Sequence, residues 1–188
     1  MGNVTTAESY SPALTAGDFS CATTAGYYAN AATAGFNAHA TTTGDGGRAT
    51  TAGNFSHATT VGDDAHATTA GNGSHALTAG DDARATTTGR IAHALTAGDY
   101  AHATTAGRLA HALAAGDLAK TSVSGENSIA AAFGANSSAR AANGGFIVLA
   151  QYNGDTVVAV KTARVGKDGI KPDTWYKLSP TGKFVEAE

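Results

Sequence analysis

The chain has 188 residues, 24 of them Gly and only one each of Trp, Met and Cys, and its apolar share is mostly Ala, which excludes an ordinary core of large side chains. Lys and Arg number 12 against 15 Asp and Glu, leaving a formal charge of −3, so no global basic field selects nucleic acid. The single cysteine excludes an intramolecular disulfide framework, and no apolar run is long enough to span a bilayer.

Residues 1–16 read as a lead-in. The opening Met-Gly-Asn-Val-Thr-Thr lacks the charged and apolar regions of a secretory signal, so export would need a non-classical route, and both a cytoplasmic and a cell-surface placement stay open. From Gly17 to Gly134 a glycine then returns every ninth residue, heading fourteen nonapeptides of the form Gly-x-x-small-x-Ala-Thr-Thr-Ala. Strict self-similarity of this kind marks a solenoid, whose unit cannot bury its own face and stacks on copies of itself.

Counting each repeat from its Gly, position 4 is Ser, Ala or Gly, position 6 is nearly always Ala, position 8 is usually Thr, and position 5 varies freely. Alternation of small and variable is the period of a β-strand, so positions 4, 6 and 8 face inward, 5, 7 and 9 face outward, and the Gly marks a corner. Two further rows double the period. Position 2 is Asp45, Asp63, Asp81, Asp99 and Asp117 in alternate repeats but Phe36, Asn54, Asn72, Arg90 and Arg108 between them. Position 7 runs Thr50, Thr68, Thr86, Thr104, Ser122 in one series and Thr41, Thr59, Leu77, Leu95, Leu113 in the other. The coil is therefore eighteen residues with two strands, and residues 17–142 form seven coils in an all-β, two-sheet rod about 34 Å long at the inter-strand spacing. Position 4 of one sheet should face position 8 of the other, and Ala should face Ala. The inward Thr hydroxyls are expected to pair with each other or with backbone groups.

The outward rows carry the candidate chemistry. All seven His fall at position 5: one face reads Cys21, His39, His57, His75, His93, His111, Ile129, the other Asn30, Arg48, His66, Arg84, His102, Lys120, Ser138. Flat side chains stacked this way cover a sheet face, and the mixed row Arg48, His66, Arg84, His102, Lys120 also offers a strip for self-association or an anionic polymer. A row presents two imidazoles at a time where closed zinc sites take four ligands, so no metal and no cofactor is expected. Only Gly44-Asp45-Gly46-Gly47 approaches a calcium-roll signature, and it does not repeat. The Asp row precedes the basic row by three residues and should supply its counter-charge, although Asp after Gly is also an ordinary turn residue. Nothing assembles Ser, His and acid around a cleft, so no enzyme is expected.

Near residue 143 the ruler stops. Residues 143–188 read as a small β cap: Phe146–Tyr152 as a strand, Asn153-Gly154-Asp155 as a hairpin turn, Thr156–Val165 as the return, then short strands at Trp175–Leu178 and Lys183–Glu186. A cap on the exposed solenoid end would block edge pairing.

Ser74-His-Ala-Leu-Thr-Ala-Gly80 and Ala94-Leu-Thr-Ala-Gly98 resemble the half-repeat of bacterial ice nucleation proteins. The segment Ile147–Glu188, with Val-Ala-Val-Lys-Thr, Gly166-Lys-Asp-Gly-Ile170, Asp173-Thr-Trp-Tyr176 and Phe184-Val-Glu186, resembles their C-terminal cap. That resemblance implies a non-catalytic β-solenoid that orders water on outward Thr, here Thr41, Thr50, Thr59, Thr68, Thr86 and Thr104, and self-associates through basic coils near the cap. The family's Thr-x-Thr motif maps onto positions 5 and 7, where this chain carries Arg48-Ala-Thr50 or His66-Ala-Thr68 instead. The expected partners are thus a second copy, ice, or an anionic polymer such as a polysaccharide.

Overall fold

The computed structural model describes residues 2–187 and, among them, contains strands and turns but no helix. Strands are numbered along the chain and alternate between two sheets. Sheet A takes β1 (Asn3–Thr6), β3 (Cys21–Ala25), β5 (His39–Thr43), β7 (His57–Val61), β9 (His75–Ala79), β11 (His93–Ala97), β13 (His111–Ala115), β15 (Ile129–Ala132), β17 (Phe146–Asn153) and β18 (Thr156–Arg164). Sheet B takes β2 (Pro12–Ala16), β4 (Asn30–Ala34), β6 (Arg48–Ala52), β8 (His66–Ala70), β10 (Arg84–Thr88), β12 (His102–Ala106), β14 (Lys120–Val123), β16 (Ser138–Ala141), β19 (Tyr176–Leu178) and β20 (Phe184–Glu186).

Within each sheet the repeat strands pair in parallel one coil apart, as in His39↔His57, Ala40↔Ala58 and Thr41↔Thr59, so every position of the repeat becomes a straight row along the rod. The expected lead-in, as far as it is described from residue 2, is part of the solenoid: Asn3 pairs with Cys21 and Pro12 with Asn30 in the same register, with Glu8 standing where later repeats have Gly. Ala13 is fully buried in that early repeat, as its counterparts are in later ones. The solenoid therefore begins an extra coil earlier than the glycine ruler indicates.

Each corner is a tight turn whose backbone needs are met from the next coil. Position 3 takes a left-handed conformation, with φ between 52° and 61° at thirteen non-glycine residues from Tyr10 to Asn136. Positive φ there is what a type II turn requires, and bulky residues such as Phe55, Ile91 and Leu118 accept it because both flanks of the turn are fixed by ladder hydrogen bonds. The Gly at position 1 has a different reason. Gly98 has φ +141°, and a Cβ added to it would collide with the carbonyl of Gly80 one coil earlier. The glycines thus form a column in which successive backbones touch.

The interior is narrow and built as the alternation requires. Positions 4, 6 and 8 are buried along both sheets, and the position-6 alanines from Ala13 to Ala112 make a continuous core. Position 4 lies against position 8 of the other sheet: a Cβ on Gly47 would stand 3.0 Å from Thr42 Oγ1. Most Ser hydroxyls at position 4 are satisfied, Ser56 and Ser74 each donating over 3.0 Å to the carbonyl of Gly35 and Gly53, respectively, whereas that of Ser20 has no partner. The Thr hydroxyls at position 8 are not. Thr24, Thr42, Thr60, Thr78 and Thr96 in sheet A and Thr33, Thr51, Thr69, Thr87 and Thr105 in sheet B find no hydrogen-bond partner, contrary to the expectation of mutual or backbone pairing. Row neighbours stand a full inter-strand spacing apart, about 4.8 Å and beyond hydrogen-bond reach, while the strand carbonyls are directed along the ladder.

At the C-terminal end the large apolar residues appear. β17 continues sheet A in parallel, with Phe146 opposite Ile129, and folds back through Gly154-Asp155 into antiparallel β18. Gly154, at φ +56°, fills the first corner of that two-residue turn, where positive φ is needed. β19 and β20 close sheet B as antiparallel strands. Ile147, Leu149, Val165 and Tyr176 are buried beneath them, so the end of the rod carries a core of ordinary side-chain size.

Candidate functional site

Two outer faces are available, and each is a set of parallel rows. On sheet A, position 5 presents His39, His57, His75, His93 and His111 with successive ring centroids 4.8, 4.9, 4.9 and 5.1 Å apart. The first two pairs are nearly parallel stacks, at 7° and 10°, and the last tilts to 35°. The spacing is that of the strands themselves. Burial in the stack, and after it the neighbouring imidazoles, lowers the pKa of His57 and of His93. Cys21, expected to be exposed at the head of this row, is half-buried with its Sγ 3.8 Å from Thr23 Oγ1, and the row runs on past it to Asn3.

On sheet B the position-5 row is Asn30, Arg48, His66, Arg84, His102, Lys120, Ser138, each paired with the next. Here too burial comes first in lowering the pKa of His66 and His102, followed by the flanking cations Arg48 and Arg84 for the one and Arg84 and Lys120 for the other. Near its end lies Trp175 of the cap: Lys120 Nζ lies 5.7 Å from the Trp175 ring centre, and the guanidinium of Arg140, from the adjacent position-7 row, lies 4.7 Å from it. Beside it Thr50, Thr68, Thr86 and Thr104 form a continuous outward row ending in Ser122. The six candidate Thr are therefore divided: these four stand on sheet B, and Thr41 and Thr59 stand on sheet A, where Leu77 continues their row.

The Asp row does not neutralise the basic row. Asp45, Asp63, Asp81, Asp99 and Asp117 each accept a hydrogen bond from the backbone N–H at position 2 of the next coil, over 2.7–3.1 Å. Asp18, Asn54 and Asn72 do the same at the opposite corner over 2.8–2.9 Å. A carboxylate that accepts from the corner amide is a structural clasp, and asparagine performs it equally well. The ion pairs among the described residues are Arg108–Glu126 at 3.3 Å and Lys171–Glu186 at 2.7 Å, both exposed.

Sheet A also carries an apolar strip. On sheet A, position 7 changes from Thr23, Thr41 and Thr59 to Leu77, Leu95 and Leu113, while position 9 holds Val61, Ala79, Ala97 and Ala115. From Thr59 and Val61 onward these residues, together with Phe133, line an open apolar groove of about 420 Å³. The leucine row was visible as a repeat-length signal; that it shares a face with the alanines, and that Phe133 ends it, follows only from the register.

Among the described residues no three or more His, Cys, Asp or Glu side chains converge to hold a metal ion, and no helix is long and apolar enough to cross a membrane. What the fold defines is a parallel two-sheet β-solenoid of paired nonapeptides with an antiparallel cap. Comparison of the chain with protein-family models, with curated proteins and with solved structures returned no match.

Proposed function

We propose that this chain is a non-catalytic, self-associating β-solenoid that orders water along its outward Thr rows, as its resemblance to the C-terminal part of bacterial ice nucleation proteins implies. The observation that carries the reading is the sheet B row Thr50, Thr68, Thr86, Thr104, in which hydroxyls recur at the strand spacing on a straight ladder. On one flank lie Ala52, Ala70, Thr88 and Ala106, small enough to leave the hydroxyls open on that side, and on the other stands the basic row. A rigid, periodic array of hydroxyls fixes the positions of first-layer waters without ordering any side chain on contact. Droplet freezing tests it. Wild-type protein should raise the freezing temperature above that of buffer, and exchange of the four Thr for Val, which keeps shape and removes the hydroxyls, should abolish the rise. Equal freezing of wild type and buffer would refute the reading.

A second reading is favoured by the row Arg48, His66, Arg84, His102, Lys120, none of whose cations is in an ion pair among the described residues. Such a row suits an anionic polymer, for example an acidic polysaccharide. Its affinity would fall steeply with ionic strength, whereas water ordering by Thr would not.

A further inference from the structure

We propose that the apolar strip of sheet A is the surface on which a second copy of this chain docks, side by side and parallel, the leucine row of each lying in the alanine row of the other. This deepens the self-association in the reading above and rests on it.

Chemistry comes first. Leu77 and Leu95 are 38% and 37% exposed, Val61 49% and Phe133 38%, although they adjoin one another on a single flat face. Contiguous apolar surface of this kind on a rigid sheet marks a contact face. The shape then selects the occupant. Leu95 pairs with Leu77 and Leu113, and Ala97 with Ala79 and Ala115, so a ridge and a furrow run straight and adjacent along the rod. A two-fold axis parallel to the rod and lying between them places each ridge over the other copy's furrow. It keeps the coil spacing of the two copies in step, which a ligand lacking that period could not do.

Charge and area agree. From β3 to β15 no Lys, Arg, Asp or Glu stands at position 7 or 9 of sheet A, and position 5, mostly His, falls outside the contact on this axis. Sheet B carries Arg48, Arg84, Lys120 and Arg140 on its face, and two such faces would repel each other. The strip from position 7 to position 9, about three residues across nine parallel strands roughly 4.8 Å apart, gives roughly 430 Å² per copy, or roughly 850 Å² in a dimer, the size of a weak, reversible contact. The basic row expected to mediate assembly is thus the less suited of the two faces.

The experiment is sedimentation velocity on the full chain at micromolar concentrations and neutral pH. It compares wild type with Leu77→Thr/Leu95→Thr/Leu113→Thr, which imposes the residue already present at Thr23, Thr41 and Thr59 of the same row and so preserves the fold. Wild type should be a dimer, and the triple variant should weaken it by about 100-fold or more, the effect expected of losing three buried leucine contacts. Arg48→Ser/Arg84→Ser should leave the dimer intact. Nitroxide labels on the single cysteine, Cys21, should read a separation on the order of 20–25 Å in parallel copies, set by sheet packing and row spacing. A wild-type dimer indifferent to the triple substitution, or labels far beyond that separation, would overturn this docking mode and leave self-association standing on another surface. A wild-type monomer would overturn both, including the case in which it takes up an apolar dye that the triple variant does not.

Discussion

Ala67 is fully buried at the middle inward position of β8, with the opposite sheet's alanines against it. Neither sheet can retreat there, because each is held by ladder hydrogen bonds to the coils on both sides. Ala67→Leu should therefore cost at least the ~1–3 kcal/mol usual for an overpacked core, measured by chemical denaturation. An unchanged unfolding midpoint would contradict the close approach of the sheets. One position along in the inward row the sign reverses. Thr69 is buried and its hydroxyl has no partner, whereas the same position of β14 is occupied by buried Val123. Thr69→Val removes an unsatisfied group at constant shape, and a gain on the order of 1 kcal/mol is expected from the same measurement. A loss of similar size would show that the hydroxyl has an unrecognised partner.

The corner is the element that sets which residues share a row. If the Asp clasp on the next coil's amide matters, Asp81→Ala should destabilise by about 0.5–1.5 kcal/mol, while Asp81→Asn should be close to neutral, since Asn54 and Asn72 make the same bond. Equal effects of the two substitutions would argue that charge, not the hydrogen bond, is what position 2 supplies. Much of the fold was legible in the sequence: the strand phase, the eighteen-residue coil and the straight His row follow from periodicity, because burial of small residues on one side of a strand leaves a strict two-residue signal, and the cap hairpin follows from the turn residues Asn153-Gly154-Asp155. The first coil was missed because Glu8 replaces the marker glycine, although Ala13 and Thr15 keep the inward pattern. The left-handed turn residues were hidden by their variety, since Phe19, Asp64 and Leu118 share no side-chain property that announces positive φ. The candidate surfaces divide in the same way. Rows at position 5 could be read directly, but the partner of each Asp and the groove beside the leucines depend on three-dimensional neighbours that one repeat does not encode.

At the scale of the whole rod, each coil touches only the coils on either side, so stability is a sum of neighbouring interfaces. Deleting residues 62–79, one full coil, should leave a shorter protein that melts near the wild-type temperature, while deleting 62–70 moves every later strand to the opposite sheet and should melt clearly lower. Equal melting of the two would make nine residues, not eighteen, the structural unit. The same stacking adds up charge. His57, His93, His66 and His102 all have pKa values lowered, first by burial and then by imidazoles in one row and arginines or lysine in the other. With folded values below the unfolded reference of about 6.5, the unfolded chain binds more protons over the interval between them. The stability contributed by the neutral imidazoles is thus fully present above about pH 6.5 and is lost as pH falls through the lowered folded values. Asp64 and Asp82 pull His66 and His102 the other way, but burial and cations prevail. Thermal melting from about pH 7.5 to about pH 5 should show wild type losing stability across this interval, and His57→Gln/His66→Gln/His93→Gln/His102→Gln, which keeps polar side chains in both rows, should lose markedly less. If the two proteins lose stability in parallel, acid sensitivity resides outside the ladders, and the rows are uncharged packing rather than a proton-linked part of the rod.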